Sequence, residues 1–203
     1  MPHAVFEQAR QCGLIGSKPE GALDSTGLEA RRVSVYFLDR KGKHARKTKR
    51  RSWPKLTLVC HTQTHLIAGA VVVRGPRNDS PDFAPALRQA CKNLRLHRLL
   101  ADKAYDSEAN HRLARKRLGI RSTIIPINPR RTGRRWPTTK YRRQMKRRFP
   151  KRVYGQRWQV ESAISRHKRL LDSALRARGH QAQKRECLLR VLTHNLMILK
   201  RAA

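Results

Sequence analysis

Three acidic residues, Asp24, Asp102 and Glu161, are remote from one another in the chain, and each lies beside or within a segment of regular pattern. Asp24 follows the apolar pair Ala22-Leu23 and precedes Ser25-Thr26-Gly27. Asp102 closes the short apolar run Leu99-Leu100-Ala101, the position at a strand end where open α/β sheets carry functional groups. Glu161 falls inside a segment with helical periodicity. If the three converge, they make a ligand set for hard divalent cations such as Mg²⁺ or Mn²⁺. Two such ions about 4 Å apart serve phosphodiester chemistry, one activating the attacking oxygen and one stabilising the leaving oxygen. Taken singly, each acid reads equally well as a cap or a surface charge.

The helix around Glu161 adds a second argument. With about 100° per residue and Tyr154 set at 0°, Arg157 falls at ~300°, Glu161 at ~340° and Lys168 at ~320°. Val153, Val160, Ile164 and Leu171 form an adjoining apolar stripe at ~240–280° that would dock on a sheet. One acid beside two cations suits a metal ion next to phosphates. The plain alternative is an exposed face with Arg157 and Glu161 as an i,i+4 pair, worth a few tenths of a kcal/mol.

Composition names the partner class. The 203 residues carry 48 Lys and Arg against 13 Asp and Glu, a formal charge of +35. Such self-repulsion makes sense beside a polyanion, and nucleic acid is the expected one. Between Glu108 and Glu161 there is no acid at all but eighteen Lys and Arg, which suggests a backbone-phosphate groove. Arg134, Arg135, Arg147 and Arg148 are the candidates within it. Trp136 and Tyr141 lie in the same stretch as packing residues or stacking surfaces, with packing preferred. No apolar run of 18 residues and no signal-peptide pattern is present, so a cytoplasmic protein without a membrane partner is expected. Cys12, Cys60, Cys91 and Cys187 form no Cys-x-x-Cys pair and read as ordinary thiols. His61 and His65 sit in a strand-like region and read as no metal pair.

The positioning elements follow from local pattern. Strands are expected at 32–38, 55–60, 66–74, 98–101 and 122–127, the last near a sheet edge because Pro126 lacks a donor. Helices are expected from Ser80, as N-cap, to Asn93, at 107–118 ended by Gly119, at 151–172 and at 181–201. Residues 41–51 read as a basic loop, and 128–150 as a basic loop or disordered segment. Strands first, then alternation with helices, indicates an α/β domain with a mixed sheet over about 21–203.

These residues resemble a known family. Tyr154, Arg157, Glu161 and Lys168 match, in identity and spacing, the Tyr-Arg-Glu-Lys signature of bacterial insertion-sequence transposases of the Asp-Asp-Glu type. Ala101-Asp102-Lys103-Ala104-Tyr105-Asp106-Ser107 resembles the segment with that family's second aspartate, and Leu23-Asp24-Ser25-Thr26-Gly27 the first. Leu192-Thr193-His194-Asn195-Leu196 is similar to its terminal helix. The resemblance implies an RNase H-like fold, a central mixed sheet flanked by helices. It implies Asp24, Asp102 and Glu161 holding two Mg²⁺ or Mn²⁺ ions, with no small-molecule cofactor. It further implies hydrolysis at transposon ends, then attack of the freed 3′-hydroxyl on target DNA by a homodimer on DNA. Tyr154, Arg157 and Lys168 would position the end's phosphates, while Trp158 is expected to pack. Ala104 stands where the family has Gly, and Asp106 is expected to orient its loop rather than to join the site. Asp172 lies too far along the helix. The resemblance leads to the expectation that the family's N-terminal end-recognition region is truncated ahead of Asp24, with residues 1–20 its remnant. The alternatives are an RNase H-fold nuclease without strand transfer, and an inactive chain that only binds DNA.

Overall fold

The computed structural model describes residues 2–29, 53–129 and 136–202. The strand expected at 32–38, the basic loop at 41–51, and Arg134 and Arg135 lie outside the described residues. Five strands form one mixed sheet in the order β3-β2-β1-β4-β5. They are β1 (Glu20–Gly27), β2 (Trp53–His61), β3 (Ile67–Gly75), β4 (Arg98–Ala101) and β5 (Ser122–Ile124). β2 runs antiparallel to both β3 and β1, whereas β4 is parallel to both β1 and β5. β5 stops at Ile124, ahead of Pro126, and is the sheet edge that the proline indicated.

The period-2 alternation of the strands separates two cores. On one face Leu23, Val59 and Leu99 pack with Phe83, Leu87 and Ala90 of helix α2 (Ser80–Asn93) and with Ala114. Helix α1 (Pro2–Gln11) joins this core through Val5, Phe6 and Ala9, so the segment expected as an upstream remnant folds onto the sheet domain. β3 and α2 approach so closely that a Cβ at Gly69 would lie 2.4 Å from the Ala86 carbonyl oxygen. On the other face Ala22, Leu58 and Leu100 pack with Val160 and Ala163 of α6 (Trp158–Leu171). The last helix, α7 (His180–Ala202), contributes to both cores.

Several local expectations need revision. Asp79, not Ser80, is the N-cap of α2, with Pro81 in the first turn. The helix after Ser107 begins as α3 (Glu108–Arg112) and continues as a π-helical turn, Leu113–Arg117, before Gly119 at φ +70°. The 151–172 helix is interrupted: α5 (Lys151–Tyr154), a 3₁₀ turn (Gly155–Arg157) and then α6.

The largest correction concerns 128–150, expected as loop. Lys140–Arg147 is helix α4. Tyr141 and Met145, four residues apart, are both buried, which is helical spacing within an otherwise cationic run. Glu108 accepts from the free Tyr141 and Arg142 amides of its first turn, at 3.1 and 3.2 Å. Fully buried Asp106 takes both sides of the Arg142 guanidinium, at 2.9 and 2.8 Å.

Candidate active site

Asp24 and Asp102 are brought together by sheet register. The parallel pairing of β1 and β4 ends at Leu23–Ala101, and the two aspartates are the next residues on these adjacent chains. Neighbouring strands lie about 5 Å apart. Ala22 and Leu100 belong to the α6 face, so Asp24 and Asp102, two residues further on, turn toward α6. In each, Oδ1 accepts from the following amide: Ser25 N–H at 2.8 Å and Lys103 N–H at 2.6 Å.

Arg157 ties the third acid to this pair. From the 3₁₀ turn ahead of α6, its Nη1 donates to Asp24 Oδ2 at 3.2 Å, and its Nη2 donates to Glu161. Burial of Asp24 pushes its carboxyl above the ordinary range, and the nearby Asp102 and Glu161 charges push the same way. The Ser25 amide and Arg157 work against that rise. Burial opposes the charge on Arg157, yet Tyr154, Asp24 and Glu161 outweigh it and hold the guanidinium above its ordinary pKa. Tyr154 is half-buried, edge-on to Phe149 at 5.0 Å, and burial raises its phenol pKa. Lys168, three turns along, donates to the Gly27 carbonyl oxygen at 3.0 Å and so fastens α6 to the end of β1.

The acids supply hard oxygen donors, and the raised pKa of Asp24 among neighbouring carboxylates calls for a cation, which fits Mg²⁺ or Mn²⁺. As placed, a guanidinium supplies that charge. Among the described residues no group of three His, Cys, Asp or Glu side chains stands close enough together to hold a metal ion. The interposed Arg157 explains this: Glu161 is engaged with it, rather than with the two aspartates.

Other residues fall into place around this centre. Asp106 is buried between Arg142 and the Asn128 amide, and so organises the loop and α4. Asp172 closes α6 at φ +72°, with its Oδ1 accepting from Ser173 N–H. Arg147 and Arg148 are exposed at the end of α4. Arg147 lines a depression of about 380 Å³ with Trp136, Pro137, Thr138 and Arg143. Trp136 is exposed, with Lys146 5.9 Å from its ring centre, while Tyr141 is buried, so only the second is a packing residue. Trp158, expected to pack, is 53% exposed.

Sequence reasoning missed the layer behind the aspartates. Ser25 Oγ shares hydrogen bonds with Thr57 Oγ1 at 2.7 Å and with Tyr105 OH at 2.6 Å. Thr57 in turn borders fully buried Asp82, which pairs with Lys55 at 2.9 Å and Arg77 at 2.6 Å. The available signal was alternation: with Asp24 facing α6, Ser25 must face the opposite core.

A mixed five-stranded sheet flanked by helices, with acids at adjacent strand ends and on a helix across from them, is an RNase H-like arrangement. The family described as the transposase DDE domain matches residues 15–196, nearly the whole chain, and the protein belongs to it. That membership makes it a transposase of DNA transposition and recombination, with DNA as its partner. No described helix is long and apolar enough to cross a membrane.

Proposed function

We propose that this chain cuts DNA strands at the ends of a mobile element and joins the freed 3′-hydroxyl to target DNA. Asp24, Asp102 and Glu161 are the residues that would hold the divalent ions, Mg²⁺ or Mn²⁺, in this work. Those ions supply charge neutralisation at the scissile phosphate and lower the pKa of the attacking oxygen. The observation that carries the reading is Arg157, which reaches both Asp24 and Glu161 while Asp24 stands beside Asp102.

The chain's own residues then have distinct tasks. Arg157 bridges Asp24 and Glu161 and is exchangeable: a scissile phosphate offers its guanidinium a stronger bidentate partner. Its release frees Asp24 Oδ2 and Glu161. Tyr154 at the end of α5 and Lys168 on α6 flank it as phosphate-positioning groups. Arg147 and Arg148, with Arg134 and Arg135 outside the described residues, extend the cationic surface along the backbone. A homodimer follows from the need to handle two element ends together.

The test is a labelled duplex ending in the inverted repeat that flanks the gene, incubated with Mg²⁺ and a supercoiled target plasmid. Nicking at the repeat boundary followed by joining of the labelled strand to the plasmid supports the reading. Nicking without joining would make the chain a nuclease of the same fold, and salt-sensitive binding without nicking a DNA-binding protein.

A further inference from the structure

On the sheet face opposite α6, four cations converge that the proposed reaction does not use. Arg88 of α2 and Arg112, Lys116 and Arg117 of α3 and its π-helical turn line one depression of about 850 Å³. Its remaining walls are Ala109, Leu113 and Leu118, with no acid among them. All four cationic side chains are exposed. Arg112 lies 3.6 Å from Glu108, whose carboxylate is already engaged with the first turn of α4. Among the described residues, Arg88, Lys116 and Arg117 have no acidic partner.

The π-helical turn sorts these charges. Its i→i+5 bond, Leu118 N–H to Leu113 oxygen at 3.0 Å, widens the helix by one residue. Such bulges often re-aim side chains at functional positions. Here Arg115 turns toward α4, donating to Gln144 at 3.0 Å with its guanidinium 4.6 Å from the Tyr141 ring centre. Arg112, Lys116 and Arg117 are left facing Arg88 across the depression.

We infer that this depression is a second phosphate-backbone surface, which takes a duplex other than the one being cut. The cations are spread over two elements with aliphatic walls between them, which suits a line of backbone phosphates. The sheet separates them from Asp24 and Asp102, since α2 packs on the Leu23 face and α6 on the Ala22 face. The depression and the acids therefore lie on opposite sides of the sheet. The inference rests on the proposed function only in taking duplex DNA as the partner.

The experiment is a titration of the full chain with a fluorescent duplex of about 12 base pairs in chelator, where no cutting occurs. The wild-type chain binds two duplexes per chain. The Arg88→Gln/Arg112→Gln/Lys116→Gln/Arg117→Gln variant binds one, with the first affinity unchanged. The salt slope of log K for the second duplex is about −3.6, from roughly 0.9 for each of four phosphates neutralised. Lys116→Glu alone, with an unaltered thermal transition, weakens the second duplex more than tenfold and keeps the inference testable if the quadruple variant fails to fold. Identical titrations of wild type and variants overturn the inference. So does a single site in both with a smaller slope in the variant, because the cations then extend the groove of the acids. A wild-type chain that binds two duplexes yet never nicks a repeat end refutes the proposed reaction and leaves this surface standing.

Discussion

The hydroxyls of Ser25 and Tyr105 share a hydrogen bond of 2.6 Å beneath the acids. Ser25 follows Asp24 on β1, and Tyr105 ends the 3₁₀ turn that Asp102 begins. The bond therefore cross-links the two chain segments that carry the aspartates, on the face turned away from them. Tyr105 is fully buried against Phe83, with ring centres 6.0 Å apart, so its position is set by the core. Sheet register brings the aspartates side by side, and this bridge keeps the Asp102 turn from swinging.

Tyr105→Phe keeps the ring and loses the bond. Ser25 retains Thr57, so the expected stability cost is about 1 kcal/mol. Nicking should fall about tenfold with KM for DNA unchanged, because the loss is one of placement and not of DNA contact. Chemical denaturation and steady-state kinetics on one preparation check both halves. A variant that matches wild type in rate would remove the positioning role.

Arg157→Gln separates charge compensation from metal attraction. Without the guanidinium, Asp24 and Glu161 lose their shared cation, and an added divalent ion gains the vacated role. The Mn²⁺-induced rise in Tm should be larger than in wild type and should vanish in Asp24→Asn, while nicking falls at least a hundredfold. An equal Tm response in Arg157→Gln and wild type would show that the guanidinium does not compete for this position.

Asp102 and Asp106 are four residues apart and should respond in opposite ways. Asp106→Ala strands Arg142, 16% exposed, and the Asn128 amide. Loss of one partner from a buried pair costs about 3–5 kcal/mol, and the α4 segment should become protease-sensitive. Asp102→Ala should leave stability within about 0.5 kcal/mol, since among the described residues its carboxylate is bonded only to the next amide. Urea midpoints for the two variants give the comparison.

Acid should destabilise the fold through its buried histidines. Burial lowers the pKa of His61, His111 and His167 to about 4 in each case. The unfolded chain, with histidines near 6.5, then binds more protons than the folded one between about pH 6.5 and 4. Stability is accordingly complete above this window and is lost as pH falls through it. His167 is the sharpest case, because neither ring nitrogen has a hydrogen-bond partner among the described residues. His167→Leu should be neutral or stabilising at pH 7 and should flatten the fall in Tm toward pH 4.5. A steeper fall in the variant would contradict the assignment.

Much of this architecture was legible from local pattern, for reasons that particular residues make plain. Arg98-Leu99-Leu100-Ala101 before Asp102 marks a short strand with an acid at its end, and β4 has those bounds. The stripe of Arg157, Glu161 and Lys168 survives the 3₁₀ turn, since its displacement falls ahead of Trp158, where α6 becomes regular. Long-range electrostatics was harder to read. Helix α4 exists because acids more than thirty residues upstream hold it: Glu108 at its first turn and Asp106 on Arg142. A charge count over 128–150 contains neither. The Ser25–Tyr105 bridge was equally hidden, since it depends on which strands are neighbours.

Nicking of supercoiled plasmid in Mn²⁺ by wild type, Asp24→Asn, Asp102→Asn and Glu161→Gln tests the central claim, that three acids from separate elements act as one centre. The account predicts cutting by wild type, none in chelator, and a loss of at least a thousandfold in each variant with DNA affinity retained. Wild-type cutting by any one of the three variants would contradict it.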